Sequence, residues 1–101
     1  MSAHICEKFE AASTILGQRW VGLIINQLLI EPKRFSQLQS EVTVSGKVLS
    51  QRLKDLENEG IIKRIVYDEV PVRIEYQLTD KGKALEPVLK AIETWSQSWI
   101  K

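Results

Sequence analysis

The chain has 101 residues, 14 Lys+Arg against 13 Asp+Glu, one His and a formal net charge of +1. Its 44% hydrophobic and 27% charged residues exclude disorder and predict a single folded domain over residues 1–101. One Cys excludes an internal disulfide framework, one Cys with one His excludes a structural zinc site within the chain, and the ten-residue greasy run at Val21–Ile30 is too short and polar to span a bilayer. The expectation is therefore a soluble cytoplasmic protein with no metal, cofactor or membrane partner, since Met1 to Lys8 also lacks a basic-then-apolar leader.

In chain order, Ile5, Phe9, Ala12 and Leu16 recur at helical spacing, starting near Glu7 and stopping at Gly17. A second helix from Trp20 to Leu29 is apolar over more than half its circumference, so it is expected to be the most buried element, and Glu31-Pro32 ends it. Phe35, Leu38 and Val42 define a short third helix, for which Ser36 and Gln39 fit a capping box. Ser45 caps a fourth helix whose Leu49, Leu53 and Leu56 repeat up to Gly60.

The period then changes. Ile61 to Tyr67 is rich in β-branched residues, and Val72, Ile74, Tyr76 and Leu78 alternate with Arg73, Glu75, Gln77 and Thr79 around a tip at Asp68–Pro71. Thr79 caps a final long helix carrying Leu85, Val88, Leu89, Ile92, Trp95 and Trp99, with a bend expected at Pro87. The fold class is mainly α with a small β-hairpin (α+β), in the order of a winged helix-turn-helix.

Residues 33–64 hold seven bases (Lys33, Arg34, Lys47, Arg52, Lys54, Lys63, Arg64) against four acids (Glu41, Asp55, Glu57, Glu59), which suits an anionic partner. At 100° per residue, Leu53, Leu56 and Gly60 fall within about 40° of Leu49, while Lys47, Gln51, Lys54 and Asn58 lie about 140–200° away. Cations and amides opposite a buried face suit a DNA major groove: Lys for guanine or phosphate, Gln for adenine. Ser45, at the helix N-terminus, suits a phosphate, and Ser50 and Arg52 on the shoulders suit the DNA backbone. Arg34 joins these candidate contacts. Arg73 alternates outward beside the hairpin tip, where a wing lays a cation into the minor groove; its alternative is pairing with Glu69 or Glu75. Asp68 and Glu69 at the tip repel phosphate.

Four ordered stretches carry a family resemblance: Leu16-Gly17-Gln18-Arg19-Trp20, Pro32-Lys33-Arg34-Phe35-Ser36-Gln37-Leu38, Val48-Leu49-Ser50-Gln51-Arg52-Leu53-Lys54-Asp55-Leu56-Glu57, and Val70-Pro71-Val72-Arg73-Ile74-Glu75-Tyr76-Gln77-Leu78-Thr79-Asp80-Lys81-Gly82. From about Cys6 to Trp99 the chain resembles the HxlR-type transcriptional regulators, relatives of the MarR winged-helix proteins. The resemblance implies a cytoplasmic homodimer on a palindromic double-stranded operator. It also implies that the fourth helix reads the major groove, that the hairpin is the wing, and that the first and last helices form the dimer interface. Phe9, Leu89, Ile92, Trp95 and Trp99 are the interface candidates. One departure is Val44-Ser45-Gly46-Lys47, where relatives often have Ile-Ser-Gln or Ile-Thr-Gln. Gly46 removes a polar side chain from a position open to DNA and weakens the helix by roughly 1 kcal/mol relative to Ala.

Some of these regulators sense thiol-reactive compounds through a Cys near the N-terminus, a position that Cys6 matches. With a helix starting near Glu7, Cys6 would sit at its positive end beside Lys8, which favours the thiolate, while Glu7 and Glu10 oppose it. Quinones, aldehydes or a low-molecular-weight thiol are the implied adducts. The plain alternative is a small hydrophobe packed at the dimer interface. Competing readings of the chain are a protein-interaction module using the same exposed face, and a regulator controlled by a non-covalent ligand with Cys6 structural. Catalysis is disfavoured: there is one His, no Gly-rich phosphate loop and no nucleophile elbow.

Overall fold

A computed structural model describes the backbone of residues 3–101 and the side chains from Cys6 onward. The side chains of His4 and of Ile5, which opens the first apolar stripe, lie outside the described residues. The order is α1 (Ala3–Leu16), α2 (Val21–Ile30), α3 (Phe35–Val42), α4 (Gly46–Asn58), β1 (Ile62–Tyr67), β2 (Arg73–Leu78), α5 (Asp80–Lys83) and α6 (Glu86–Trp99).

The core forms where α2, α3 and α4 bring their apolar stripes together under the hairpin. Ile24 and Ile25 of α2, Leu38 of α3, and Leu49, Leu53 and Leu56 of α4 are all but sealed from solvent, with Ile61, Ile62, Tyr76, Leu78 and Leu89 closing the cluster. The greasy α2 is thus a core element, although Leu23 points outward. Trp20, expected inside α2, instead precedes it in the left-handed region (φ 79°).

Local signals position the helix-turn-helix. The α2 chain leaves its helix at an extended Glu31, since Pro32 pushes the preceding residue out of helical geometry. The cap of α3 lies two residues earlier than expected: Gln37 Oε1 accepts from the Arg34 N–H (2.9 Å), and Ser36 and Gln39 take no part. A turn of three residues follows, with Thr43 left-handed (φ 58°), and Ser45 Oγ accepts from the Val48 N–H at 3.2 Å to open α4. α4 ends in a Schellman motif: Gly60 (φ 73°) donates to Glu57 and Ile61 donates to Leu56, both at 2.9 Å.

β1 and β2 pair antiparallel from Ile62↔Leu78 to Tyr67↔Arg73. Lys33 bridges the other edge of β2, its N–H donating to the Tyr76 carbonyl (3.0 Å) and its own carbonyl accepting from Tyr76 (2.7 Å). Val72, expected inside, precedes β2 and is exposed.

The single bent helix expected after Thr79 is two helices. Thr79 Oγ1 accepts from the Gly82 N–H (3.2 Å) and donates to the Gly60 carbonyl (2.5 Å), while the Thr79 N–H donates to the Ile61 carbonyl (3.0 Å), tying α5 to the base of the hairpin. Gly82 is pressed so closely on Ile61 that an added Cβ would lie 2.2 Å from its carbonyl oxygen. The chain turns at residues 84–85 and α6 restarts, so that Pro87 sits in its first turn, where a missing N–H costs nothing. The result is elongated, 53 × 35 × 23 Å, with a radius of gyration of 14.9 Å. A compact domain of this length has a radius near 13 Å.

Candidate nucleic-acid interface and the Cys6 helix

With Leu49, Leu53 and Leu56 consumed by the core, α4 presents Lys47, Ser50, Gln51 and Lys54 to solvent. Lys47 and Lys54 make no ion pair among the described residues, so their charges remain available. The exposed Ser45 accepts from Val48 and still has its hydroxyl proton to donate. Arg34, just before α3, is exposed, and its charge is felt at Glu69 of the hairpin tip.

The shoulder residues are more occupied. Asp55 accepts from Gln51 Nε2 through Oδ1 (2.9 Å) and from Arg52 Nη1 through Oδ2 (3.4 Å). Arg52 Nε donates to the carbonyl of Arg19 (3.2 Å), in the turn between α1 and α2. Arg19 in turn stacks over the Trp20 ring at 4.5 Å. Neither Asp55 nor Arg19 stands out in the sequence as a partner, although Gln-x-x-x-Asp on one helix is a known hydrogen-bonding spacing.

Gly46 corrects an expectation. A Cβ built there would meet Gln39 Nε2 at 3.5 Å and the Phe35 ring at 3.9 Å, so the position faces α3 rather than a ligand of α4. Lys33, counted in the basic segment, is 6% exposed, and its ammonium is held by both oxygens of Glu41 (2.8 and 2.9 Å). Its charge belongs to the fold, and because Glu41 is one of the four acids counted with it, the pair leaves the basic excess of the segment unchanged.

At the wing, Arg73 does not point freely outward. Glu69 accepts two hydrogen bonds from it (3.1 and 3.2 Å), Glu75 accepts one (2.7 Å), and its guanidinium stacks on Tyr67 at 3.8 Å. The hydrogen bond from Arg73 holds the Glu69 carboxyl below its ordinary range, against a smaller opposing effect of desolvation, and Arg34 acts in the same direction as Arg73. Hydrogen bonding to Glu69 likewise raises Arg73, which stays a cation throughout. Lys63 and Arg64 on β1, counted in the basic segment but not among the candidate DNA contacts, are exposed cations.

α1 and α6 carry the second feature. Every side chain from Cys6 to Thr14 is exposed, including Phe9 at 73%. On α6 the apolar arc divides: Leu89 is buried against α2 at 6% exposure, whereas Ile92, Trp95 (58%) and Trp99 (71%) stand open. Leu89 therefore belongs to the chain's own core and drops out of the interface candidates. Cys6 is the fourth residue of α1, not the residue before it, because the helix starts at Ala3. Cys6 lies about 60° around the helix from Phe9, on the shoulder of the apolar stripe.

Among the described residues no three His, Cys, Asp or Glu side chains gather into a metal site, and no helix is long and apolar enough to cross a membrane.

An α3–turn–α4 unit packed on α2, followed by a two-stranded wing, defines a winged helix-turn-helix, the architecture of DNA-binding transcriptional regulators. The HxlR-like helix-turn-helix family matches residues 15–101, and the chain belongs to it. It is a family of transcriptional regulators and not of enzymes. The HTH-type transcriptional regulator YvaP of Bacillus subtilis (strain 168) is 54% identical over 99 residues, covering 97% of this chain and 92% of the relative. YodB of the same organism is 41% identical over 100 residues, covering 98% and 89%. The reduced form of YodB superposes with a TM-score of 0.86 over 100% of this chain and 96% of that one, at 39% identity. YodB is also known in diamide-treated and quinone-bound forms, with TM-scores of 0.80 and 0.82. The oxidised form of the redox regulator HypR superposes at 0.87 with 29% identity, over 93% of this chain and 98% of that one.

Proposed function

We propose that the chain is a repressor that binds a palindromic double-stranded operator as a homodimer and releases it when Cys6 reacts with a thiol-reactive compound. The observation that carries the DNA-binding half is the outward face of α4, where Lys47, Gln51 and Lys54 stand exposed opposite a sealed Leu49–Leu53–Leu56 face. In this reading Lys47 and Gln51 meet base edges, Lys54 meets bases or phosphate, and Ser45, Ser50, Arg52 and Arg34 hold the DNA backbone. Arg73 enters the minor groove after leaving its carboxylates.

The second copy covers Phe9, Ile92, Trp95 and Trp99. An exposed arc of that size has no use in a monomer, and pairing through α1 and α6 gives two α4 helices related by a two-fold axis, with half-sites about 34 Å apart.

The sensing half draws support from a relative with reduced, diamide-treated and quinone-bound forms. Because the chain has one Cys, oxidation joins Cys6 to a second subunit's Cys6 or to a small thiol, whereas a quinone or aldehyde adds to the sulfur directly. A second reading, release by a non-covalent and mainly apolar ligand, rests on a cleft of about 130 Å³ walled by Ala12, Ile15, Leu16, Ile61, Leu85 and Lys81 beneath α1.

The test is binding to the DNA upstream of the chain's own gene, with and without diamide or a quinone, for wild type and Cys6→Ser. Specific binding by both proteins, with release only of wild type, supports the whole proposal. Equal release of both makes Cys6 structural and favours the ligand reading. An absence of specific binding, with no steep salt dependence on any duplex, favours a protein-interaction module.

A further inference from the structure

The amide of Gln51 has two possible orientations, and the choice between them decides what the side chain offers a base. A carboxylate only accepts, so the 2.9 Å contact with Asp55 Oδ1 requires the NH2 group of Gln51 to face residue 55. The second oxygen of the same carboxylate accepts from Arg52 Nη1, and Arg52 is anchored to the Arg19 carbonyl at the end of the α1–α2 turn. Asp55 itself is half-buried at the edge of the outward face. It lines a depression shared with Thr14, Ile15 and Gln18, at the end of the helix that carries Cys6.

We infer that Asp55 is a specificity-determining positioning residue: it fixes the order in which Gln51 presents acceptor and donor to the groove, and it registers that amide to the α1–α2 turn through Arg52. The inference rests on the reading of Gln51 as a base contact. With the NH2 group facing Asp55, one N–H is spent there. The other N–H and Oε1 remain for the N7 and N6 groups of adenine. Asparagine at 55 removes one of the two acceptors. When its remaining oxygen serves Arg52, its NH2 faces Gln51, and the glutamine must turn its oxygen inward. Donor and acceptor then reach the groove in the opposite order, with no change in side-chain volume.

The experiment selects half-sites from a randomised duplex library with the full-length chain and compares wild type, Gln51→Ala and Asp55→Asn. Gln51→Ala marks the base pair that Gln51 reads, as the column whose preference collapses. In Asp55→Asn the preference in that same column falls from about tenfold or more to within about threefold, while the other columns hold. A purely structural role for Asp55 weakens all columns together and overturns the inference. So does an Asp55→Asn profile that keeps the marked column. If Gln51→Ala alters no column, the base-contact reading fails and takes the inference with it, a result distinct from the other two.

Discussion

Arg73 and Glu69 face each other across the base of the wing tip in a two-pronged pair, with Nη2–Oε1 at 3.1 Å and Nε–Oε2 at 3.2 Å. The pair neutralises the cation that the wing would lay in the minor groove, so DNA must compete with two carboxylates and a Tyr67 ring for the same guanidinium. Removing one competitor exposes the cost. Glu69→Gln is expected to tighten DNA binding and to steepen its salt dependence by about one phosphate contact, read from titrations at several salt concentrations. An unchanged slope places Arg73 outside the interface.

The same pair has a defined pH behaviour. Glu69 is held below its ordinary value of 4.5 chiefly by the Arg73 hydrogen bond. A carboxylate with a lowered folded-state value contributes stability that is present above its unfolded value and lost as pH falls through the lower folded one. Between about pH 5 and 8 the latch therefore stays closed, and the Glu69 carboxyl signal in NMR should not titrate there. A midpoint inside that window contradicts the pairing.

Much of this architecture is legible from local pattern alone. Leu49, Leu53 and Leu56 repeat because one face of α4 is buried, and both Ser45 and Gly60 act within a turn of their own helix, so spacing and chemistry suffice to place them. What escapes is set by distant contacts. Leu89 and Trp95 share one apolar arc, and periodicity does not say that α2 covers the first and leaves the second open. The break between α5 and α6 depends on Thr79 and Gly82 docking on Ile61, nearly twenty residues away. Arg73 follows the strand alternation, but the wing's fold decides that both of its acid neighbours close on it. Asp55, the hub of the α4 shoulder, reads in sequence as one more solvated acid.

The open half of the α6 arc makes a prediction about assembly. Trp95 and Trp99 are 58% and 71% exposed, so replacing them removes little of the chain's own packing. Trp95→Glu with Trp99→Glu should leave the helical circular dichroism and the cooperative melt in place, while sedimentation shifts from dimer to monomer. Operator affinity should fall with it, since one half-site carries only part of the contacts. A double variant that sediments as wild type locates the interface elsewhere.

Lys33 and Glu41 illustrate how asymmetrically a partly buried ion pair responds to substitution. The ammonium is nearly sealed, but the Glu41 side chain keeps 36% of its surface in water. Lys33→Ala loses the aliphatic stem and both hydrogen bonds and should cost about 2 kcal/mol in chemical denaturation. Lys33→Met keeps the stem, and the freed Glu41 turns to solvent, so its cost should stay under about 1 kcal/mol. Equal losses in the two variants would mean that the charge, not the stem, secures the α2–α3 link to β2.

Two glycines give opposite forecasts for the same substitution. At Gly82 a methyl group would lie 2.2 Å from the Ile61 carbonyl oxygen and 2.9 Å from Leu78 Cδ2, inside any permitted contact, and backbone cannot yield as a flexible side chain does. Gly82→Ala must push α5 off the base of the hairpin, losing the Thr79 cap and part of the Leu78 packing, at about 3 kcal/mol or more. At Gly46 the nearest atom is 3.5 Å away, an ordinary contact, and the backbone is already helical. Gly46→Ala should raise stability by about 0.5–1 kcal/mol by narrowing the unfolded ensemble. Because that methyl group faces Gln39 and Phe35, operator affinity should not change. Thermal melts of the two variants, with a DNA titration of the second, decide both. A Gly46→Ala protein that is more stable but binds DNA less well would bring residue 46 back to the DNA-facing surface.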